Sequence, residues 1–204
     1  MNQTKFRPSS EKKRQAIIEA AAAAFFEQGY EASSIEGIAE DAGVSKVTVY
    51  NYFGGKPGLL SAAVEHEIEQ MHQYLCLDGM EAGSLKDILL ALGHAFNDFL
   101  SRPEIINFDR RMAAESVHHP EIGETFLEAG PRRMHTQLTQ LMAMAHERGE
   151  IAVDDPAIAA EQFASMCKGF GDLERRFSVA HDADAAKARV DAAVTTFFKA
   201  YGTA

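Results

Sequence analysis

The sequence predicts an all-α protein of roughly nine helices, and three observations lead there. Apolar residues recur at three- and four-residue spacing along most of the chain. No stretch alternates with period two for long enough to make a strand. Ser, Asp, Pro and Gly punctuate the apolar segments where helix caps, first turns and ends belong. At 204 residues and 46% hydrophobic content, the chain can bury a sizeable core.

Residues 1–8 read either as a basic arm that reaches a groove or the phosphate backbone, or as a solvated terminus. A first helix starts at Pro8 with Ser9 or Ser10, carries Ile17, Ala21, Ala24 and Phe25 on its inner stripe, and ends at Gly29. Tyr30 then packs in support of the core or reaches out near DNA, the core role being favoured. The next stretch, from Ser33 to Phe53, organises the rest. Ile35, Ile38 and Ala39 share one helical face, and the helix opens on a Ser33/Glu36 capping box or on Ser34. Gly43 follows the last periodic residue, where a left-handed backbone is needed. Ser45 caps a second short helix that runs to Phe53. Two short helices around a tight turn make a helix-turn-helix, whose second helix enters the DNA major groove.

Angle sorts the residues of that second helix. Val49 and Phe53 face inward with Val44. Lys46, Val47, Tyr50 and Asn51 point the other way, and no apolar core explains them there. Asn can pair with adenine, Lys with guanine, and an apolar side chain can touch the thymine methyl. Ser33, Ser34, Ser45, Thr48, Tyr52 and Lys56 are donors at the margins, suited to phosphate oxygens.

The run Phe25, Gly29, Tyr30, Ser33, Ile38, Ala39, Ala42, Gly43, Val44, Ser45, Thr48, Tyr50, Phe53, Lys56 and Leu59 resembles the DNA-binding domain of the TetR family of bacterial transcription regulators. Two departures concern operator sequence and local rigidity: Val47 where the family has a smaller residue, and Gly54, Gly55 and Gly58 around Lys56. The resemblance implies a helix-turn-helix domain over residues 1–56 and a helical effector-binding and dimerisation domain over residues 57–204. It also implies a palindromic DNA operator and a repressor released by a small-molecule effector. From about Pro103 to Ala160 the chain resembles, more locally, the C-terminal domains of the AefR-like, efflux-associated group. The carrying residues there include Pro103, Arg111, Glu115, Pro120, Gly130, Pro131, Gly149 and Pro156.

Charge supports a DNA-binding head. The net charge is −10. Residues 1–60 balance seven Lys/Arg against seven Asp/Glu, so residues 61–204 carry the whole excess. Phosphate repels such a body and leaves the head to approach DNA.

In the body, Pro57 opens a connecting helix to about residue 77, striped by Leu60, Val64, Ile68, Met71 and Leu75. Ser84 caps a helix to about Leu100, with Ile88, Leu92, Phe96 and Phe99 inward. A short helix over 104–116 carries Ile105, Phe108 and Met112. A long pattern from Glu121 to Arg148, kinked at Gly130-Pro131, ends at Gly149. Asp154 or Asp155 caps the next helix, striped by Ile158, Phe163, Met166, Cys167 and Phe170, with Gly169 and Gly171 allowing close approach. The last helix spans about 183–202.

Two-fold readers of palindromes need a dimer, and the last two helices are the expected interface, at Met166, Phe170, Val194, Phe197 and Tyr201. Met71, Tyr74, Phe96, Phe99, Phe108, Met112, Met134, Leu138 and Phe163 are the expected effector pocket, because Met and Phe adapt to irregular apolar ligands. Core packing is the competing account of each. His94, Asn97, His135, Gln137 and Glu115 are its candidate polar anchors.

No cofactor or metal is expected. His66/Glu69 and His118/His119 are candidate ligands, but HExxH and CxxC are absent. Cys76 and Cys167 show no disulfide framework and lack a nearby cationic cluster, so inert thiols outweigh a redox sensor. No nucleophile elbow or phosphate loop suggests an enzyme. No apolar run approaches a membrane span, and a cytoplasmic protein is expected.

Overall fold

The structure is a computed structural model. It describes residues 8–74, 84–179 and 182–203, with side chains over 10–69, 84–179 and 182–203. Ten α-helices are described: α1 Pro8–Gln28, α2 Ile35–Asp41, α3 Lys46–Phe53, α4 Lys56–Tyr74, α5 Leu85–Leu100, α6 Pro103–Glu115, α7 Pro120–Ala129, α8 Pro131–Glu147, α9 Pro156–Arg176 and α10 Ala183–Tyr201. The expected nine become ten because the long pattern divides at Gly130 into α7 and α8. Among the described residues the only extended pairing is one isolated bridge between Ile151 and Gly202. The all-α expectation holds.

Packing divides the chain into two compact units. One comprises Met1–Ile68 with Asn107–Gly130, and the other Glu69–Ile106 with Pro131–Ala204. This division differs from the expected 1–56 and 57–204. In the first unit Phe26 stacks on Phe108 with centroids 4.1 Å apart, and Phe108 meets Phe126 edge-on at 5.7 Å. Arg111 donates to the Glu27 carbonyl, and the Glu31 amide donates to the Glu115 carboxylate at 3.3 Å. These contacts tie a distant segment to the end of α1, so the first unit is larger than a bare helix-turn-helix.

The second unit is built on α8, α9, α10 and α5. Its core holds Leu85, Leu89, Met142, Ile151, Phe163, Cys167, Val190, Val194 and Phe197. The inward stripe of α5 is Leu85, Leu89, Gly93 and Asn97, not Ile88, Leu92, Phe96 and Phe99. The reason is Gly93. A Cβ there would stand 2.6 Å from Val190 Cγ1 and 3.3 Å from the Cys167 sulfur, so the line of closest approach runs through the glycine. The larger residues flank it, and Leu92 and Phe96 are only partly buried.

Helix α9 is broken at Gly169 (φ 49°, ψ −151°). A Cβ at Gly169 would lie 2.5 Å from Arg189 Cδ, and one at Gly171 would lie 2.6 Å from Arg189 Nη1. The arginine therefore fills the notch that the two glycines leave. Buried Asn97 donates to the Cys167 carbonyl (3.3 Å), near the break, and to the Ala186 carbonyl (3.4 Å). Its own oxygen accepts from Arg175 Nη1 at 3.1 Å. Asn97 is thus part of the packing and no pocket anchor. Burial pulls the Arg175 guanidinium below its usual value, and Arg175 also lies 3.8 Å from Asp172.

Candidate nucleic-acid interface

The site begins with the turn between α2 and α3. Ser34, not Ser33, caps α2 and accepts from the Gly37 amide at 3.0 Å. Ser33 is 5% exposed. Its hydroxyl donates to the Gly29 carbonyl at 2.6 Å, with the Ala24 carbonyl at 3.1 Å. Ser33 therefore anchors α2 to the end of α1, and its expected place among the phosphate donors is corrected. At the far end of α2 the Val44 amide donates to Ala39 O (2.9 Å) and the Gly43 amide to Glu40 O (3.0 Å). These are the two bonds of a Schellman motif, and Gly43 supplies its left-handed residue at φ 65°.

Ser45 then caps α3. Its oxygen accepts from the Thr48 amide at 3.2 Å and lies 2.9 Å from the Thr48 hydroxyl. Gly54, left-handed at φ 72°, ends the helix. One side of α3 is fixed by Val49, fully buried against the first unit. The opposite side is open: Val47 is 66% and Tyr50 45% exposed, and Ser45, Lys46 and Asn51 are exposed with them.

The marginal donors already have partners. Tyr52 donates to the Ser10 carbonyl at 3.2 Å. Lys56 donates to the Glu31 carbonyl at 3.2 Å and sits 4.5 Å from the centre of the Tyr30 ring. Burial draws its ammonium below the ordinary lysine value. The sequence offered no sign of one further relationship: Lys46 is ion-paired with Glu36 of α2. That hydrogen bond holds the Glu36 carboxyl below its usual range and raises the Lys46 ammonium. The Lys46 nitrogen also lies 5.7 Å from the Tyr50 ring centre. Ten residues separate Glu36 and Lys46, and only the fold makes them neighbours.

A short capped helix, buried on one side and open on the other, follows a Schellman turn. Family models match the same stretch and the body beyond it. Residues 17–63 match "bacterial regulatory proteins, tetR family", and residues 87–203, more than half of the chain, match "AefR-like transcriptional repressor, C-terminal domain". The chain belongs to the TetR family.

Relatives within the TetR family agree. The chain is 31% identical over 141 residues to the HTH-type transcriptional regulator BetI 2 of Chromohalobacter salexigens, covering 67% of this chain and 59% of that protein's length. It is 26% identical over 157 residues to the HTH-type regulator YvkB of Bacillus subtilis, covering 76% and 78%. Among solved structures, a TetR-family regulator from Mesorhizobium loti MAFF303099 superposes with a TM-score of 0.80 at 28% identity, covering 97% of this chain and 100% of that one. The flavonoid-responsive regulator FrrA superposes at 0.75 with 30% identity, covering 94% and 98%.

The other expected residues divide as follows. Met71, Tyr74 and Cys76 lie outside the described side chains. Phe108 and Met112 are buried in the first unit, while Phe96, Phe99, Met134, Leu138 and Phe163 belong to the second. Of the other candidate anchors, His94 pairs with Asp191 at 3.0 Å, and His135 Nε2 lies 3.0 Å from the Ala157 carbonyl oxygen.

On α9 and α10 two expected interface residues are corrected. Val194 and Phe197 are fully buried inside one chain, because α10 turns them onto Phe163 and the rest of that core. Phe170 is 69% exposed, and Leu173, Phe177 and Val179 are exposed beside it. Ile158 is exposed as well, so the expected inward stripe of α9 fails at both ends. The exposed residues 170, 173 and 177 fall at helical spacing beyond the break at Gly169, a signal present in the sequence. Met166 and Tyr201 line a shallow apolar groove between α9 and α10 with Gln162. Among the described residues no group of three or more His, Cys, Asp or Glu is placed to hold a metal ion, and no helix is long and apolar enough to cross a membrane.

Proposed function

We propose that the chain is a sequence-specific DNA-binding regulator, working as a homodimeric repressor that leaves a palindromic operator when a small apolar effector binds its C-terminal domain. The observation that carries this reading is the two-sided character of α3. Val49 locks one side to the first unit, and the other presents Lys46, Val47, Tyr50 and Asn51 to solvent. This set can read guanine, a thymine methyl and adenine. Ser34, Ser45, Thr48, Tyr52 and Lys56 border it, placed for phosphate contacts once Tyr52 and Lys56 exchange their present carbonyl partners.

The exposed stripe of Phe170, Leu173 and Phe177 supports a dimer, because apolar side chains at helical spacing are covered most simply by their own symmetry mate. Two heads on a two-fold axis would read half-sites about 34–36 Å apart or a multiple of that distance. Effector release needs only a differential affinity of about 2–3 kcal/mol for a roughly hundredfold change in DNA binding. The residues assigned to its pocket are Phe96, Phe99, Met134 and Leu138 of the second unit. The likeness to FrrA makes flavonoids the first compounds to try.

Selection of binding duplexes from a randomised pool tests the reading. A two-fold symmetric sequence should be enriched, and its complex should dissociate in a gel shift with one of a panel of flavonoids. Enrichment of no sequence would sink DNA reading. Enrichment with release by none of the panel would remove this effector class.

A further inference from the structure

The pair formed by Glu36 and Lys46 sits on the face that the proposed function assigns to DNA, yet an anion there opposes phosphate. Glu36 lies in the first turn of α2 and Lys46 begins α3, and both are well exposed, with side-chain exposures of 63% and 49%. So exposed a pair contributes little to stability, and its presence calls for another account. Geometry supplies one. An ammonium has three donors. One is spent on the Glu36 carboxylate, and the Tyr50 ring, 5.7 Å away, borders the same nitrogen. Both partners belong to the same unit, and Glu36 is in turn set by the Ser34 cap of α2. The lysine is therefore directed by two neighbours, with its remaining donors left to a third.

We propose that Glu36 is a positioning residue that sets sequence discrimination: it holds Lys46 beside Tyr50, facing the base edges, and withholds its charge from the phosphate backbone. This inference rests on α3 being the reading helix. Lysine is otherwise a flexible point charge that finds a phosphate on any duplex. Paired with Glu36 it adds no net charge to the head, so random DNA gains little from it. A guanine edge offers acceptors to the remaining donors without breaking the pair. Discrimination thus comes from weakening the wrong complexes as much as from strengthening the right one.

The test uses the full chain, the duplex enriched by the wild type, and a random-sequence duplex of equal length. Glu36→Gln should raise affinity for the random duplex roughly fivefold at about 0.15 M salt, and steepen the plot of log K against log salt by about 0.9 per head. Affinity for the enriched duplex should not rise, so the ratio of the two should fall about fivefold or more. The double variant Glu36→Gln, Lys46→Gln should return the random-duplex affinity and salt slope to wild-type values, which a merely structural role for Glu36 would not do. Thermal melting of each variant checks the fold, and Glu36→Ala serves if Glu36→Gln melts early. An unchanged ratio, with both affinities moving together or neither moving, would overturn the assignment of Glu36. A wild type that enriches no duplex would instead overturn the reading of α3, and this proposal with it.

Discussion

The carbonyl oxygen of Phe53, the last residue of α3, occupies the place where residue 58 would carry a Cβ: an atom built on Gly58 stands 2.0 Å from it. The glycine lets α4 begin directly against the end of α3. Gly58→Ala must push backbone against backbone, with no flexible side chain to give way. We expect at least about 2 kcal/mol of destabilisation, read as a lower thermal midpoint, and DNA affinity lost with it.

Asn51 is exposed on α3 and suited to adenine. Asn51→Ala should cost about 1–3 kcal/mol of affinity for the enriched duplex and leave random DNA and the melting temperature almost unchanged. Equal losses on both duplexes would move Asn51 from base reading to backbone contact.

Asn97 joins three elements of the second unit through the Cys167 and Ala186 carbonyls and the Arg175 guanidinium. Asn97→Ala deprives a buried cation of an acceptor. The expected loss is about 2–4 kcal/mol in denaturant titrations. A loss well under 1 kcal/mol would show that neighbouring groups or water replace the amide.

Phe177 is 77% exposed and Phe170 69%. Replacing each with Asp should leave the single chain folded, since neither is in the core, and should shift the mass measured by light scattering from dimer to monomer. A dimer that survives both changes places the interface elsewhere.

Cys167 has no exposed surface, and burial pushes its thiol up to about 12. In a Cys76→Ser background, native protein at pH 8 should take up no iodoacetamide, and denatured protein should take up one equivalent. The raised value also fixes the pH trend. The neutral thiol is favoured when folded, so this contribution is fully present below about 8.5, where an unfolded thiol titrates, and fades as pH rises from there towards 12. Fast native labelling would return Cys167 to the redox candidates.

Much of this was legible in the sequence because caps and breaks are local. Ser45, Ser84 and Asp155 cap the helices assigned to them, since each needs only a side-chain oxygen two or three residues before an amide. The open side of α3 was legible from helical angle alone. What failed was non-local. The α5 stripe was misplaced by one residue because apolar size points to Phe96, while Gly93 permits closer approach to Val190. Ser33 and Ser34 are equivalent as letters, and only the carbonyls of Ala24 and Gly29 separate them. The Glu36–Lys46 pair and the stacking of Phe26 on Phe108 depend on folds of the chain that periodicity does not record.

The break at Gly169 separates two tasks within one helix. Residues before it, such as Phe163 and Cys167, are locked into the interior; several after it, such as Phe170 and Phe177, face outward. A single non-helical residue joins the halves, with Arg189 wedged beside it. Drift in the outer stripe therefore need not rotate the inner one. Substitutions can therefore accumulate on the outer stripe while the same interior is kept.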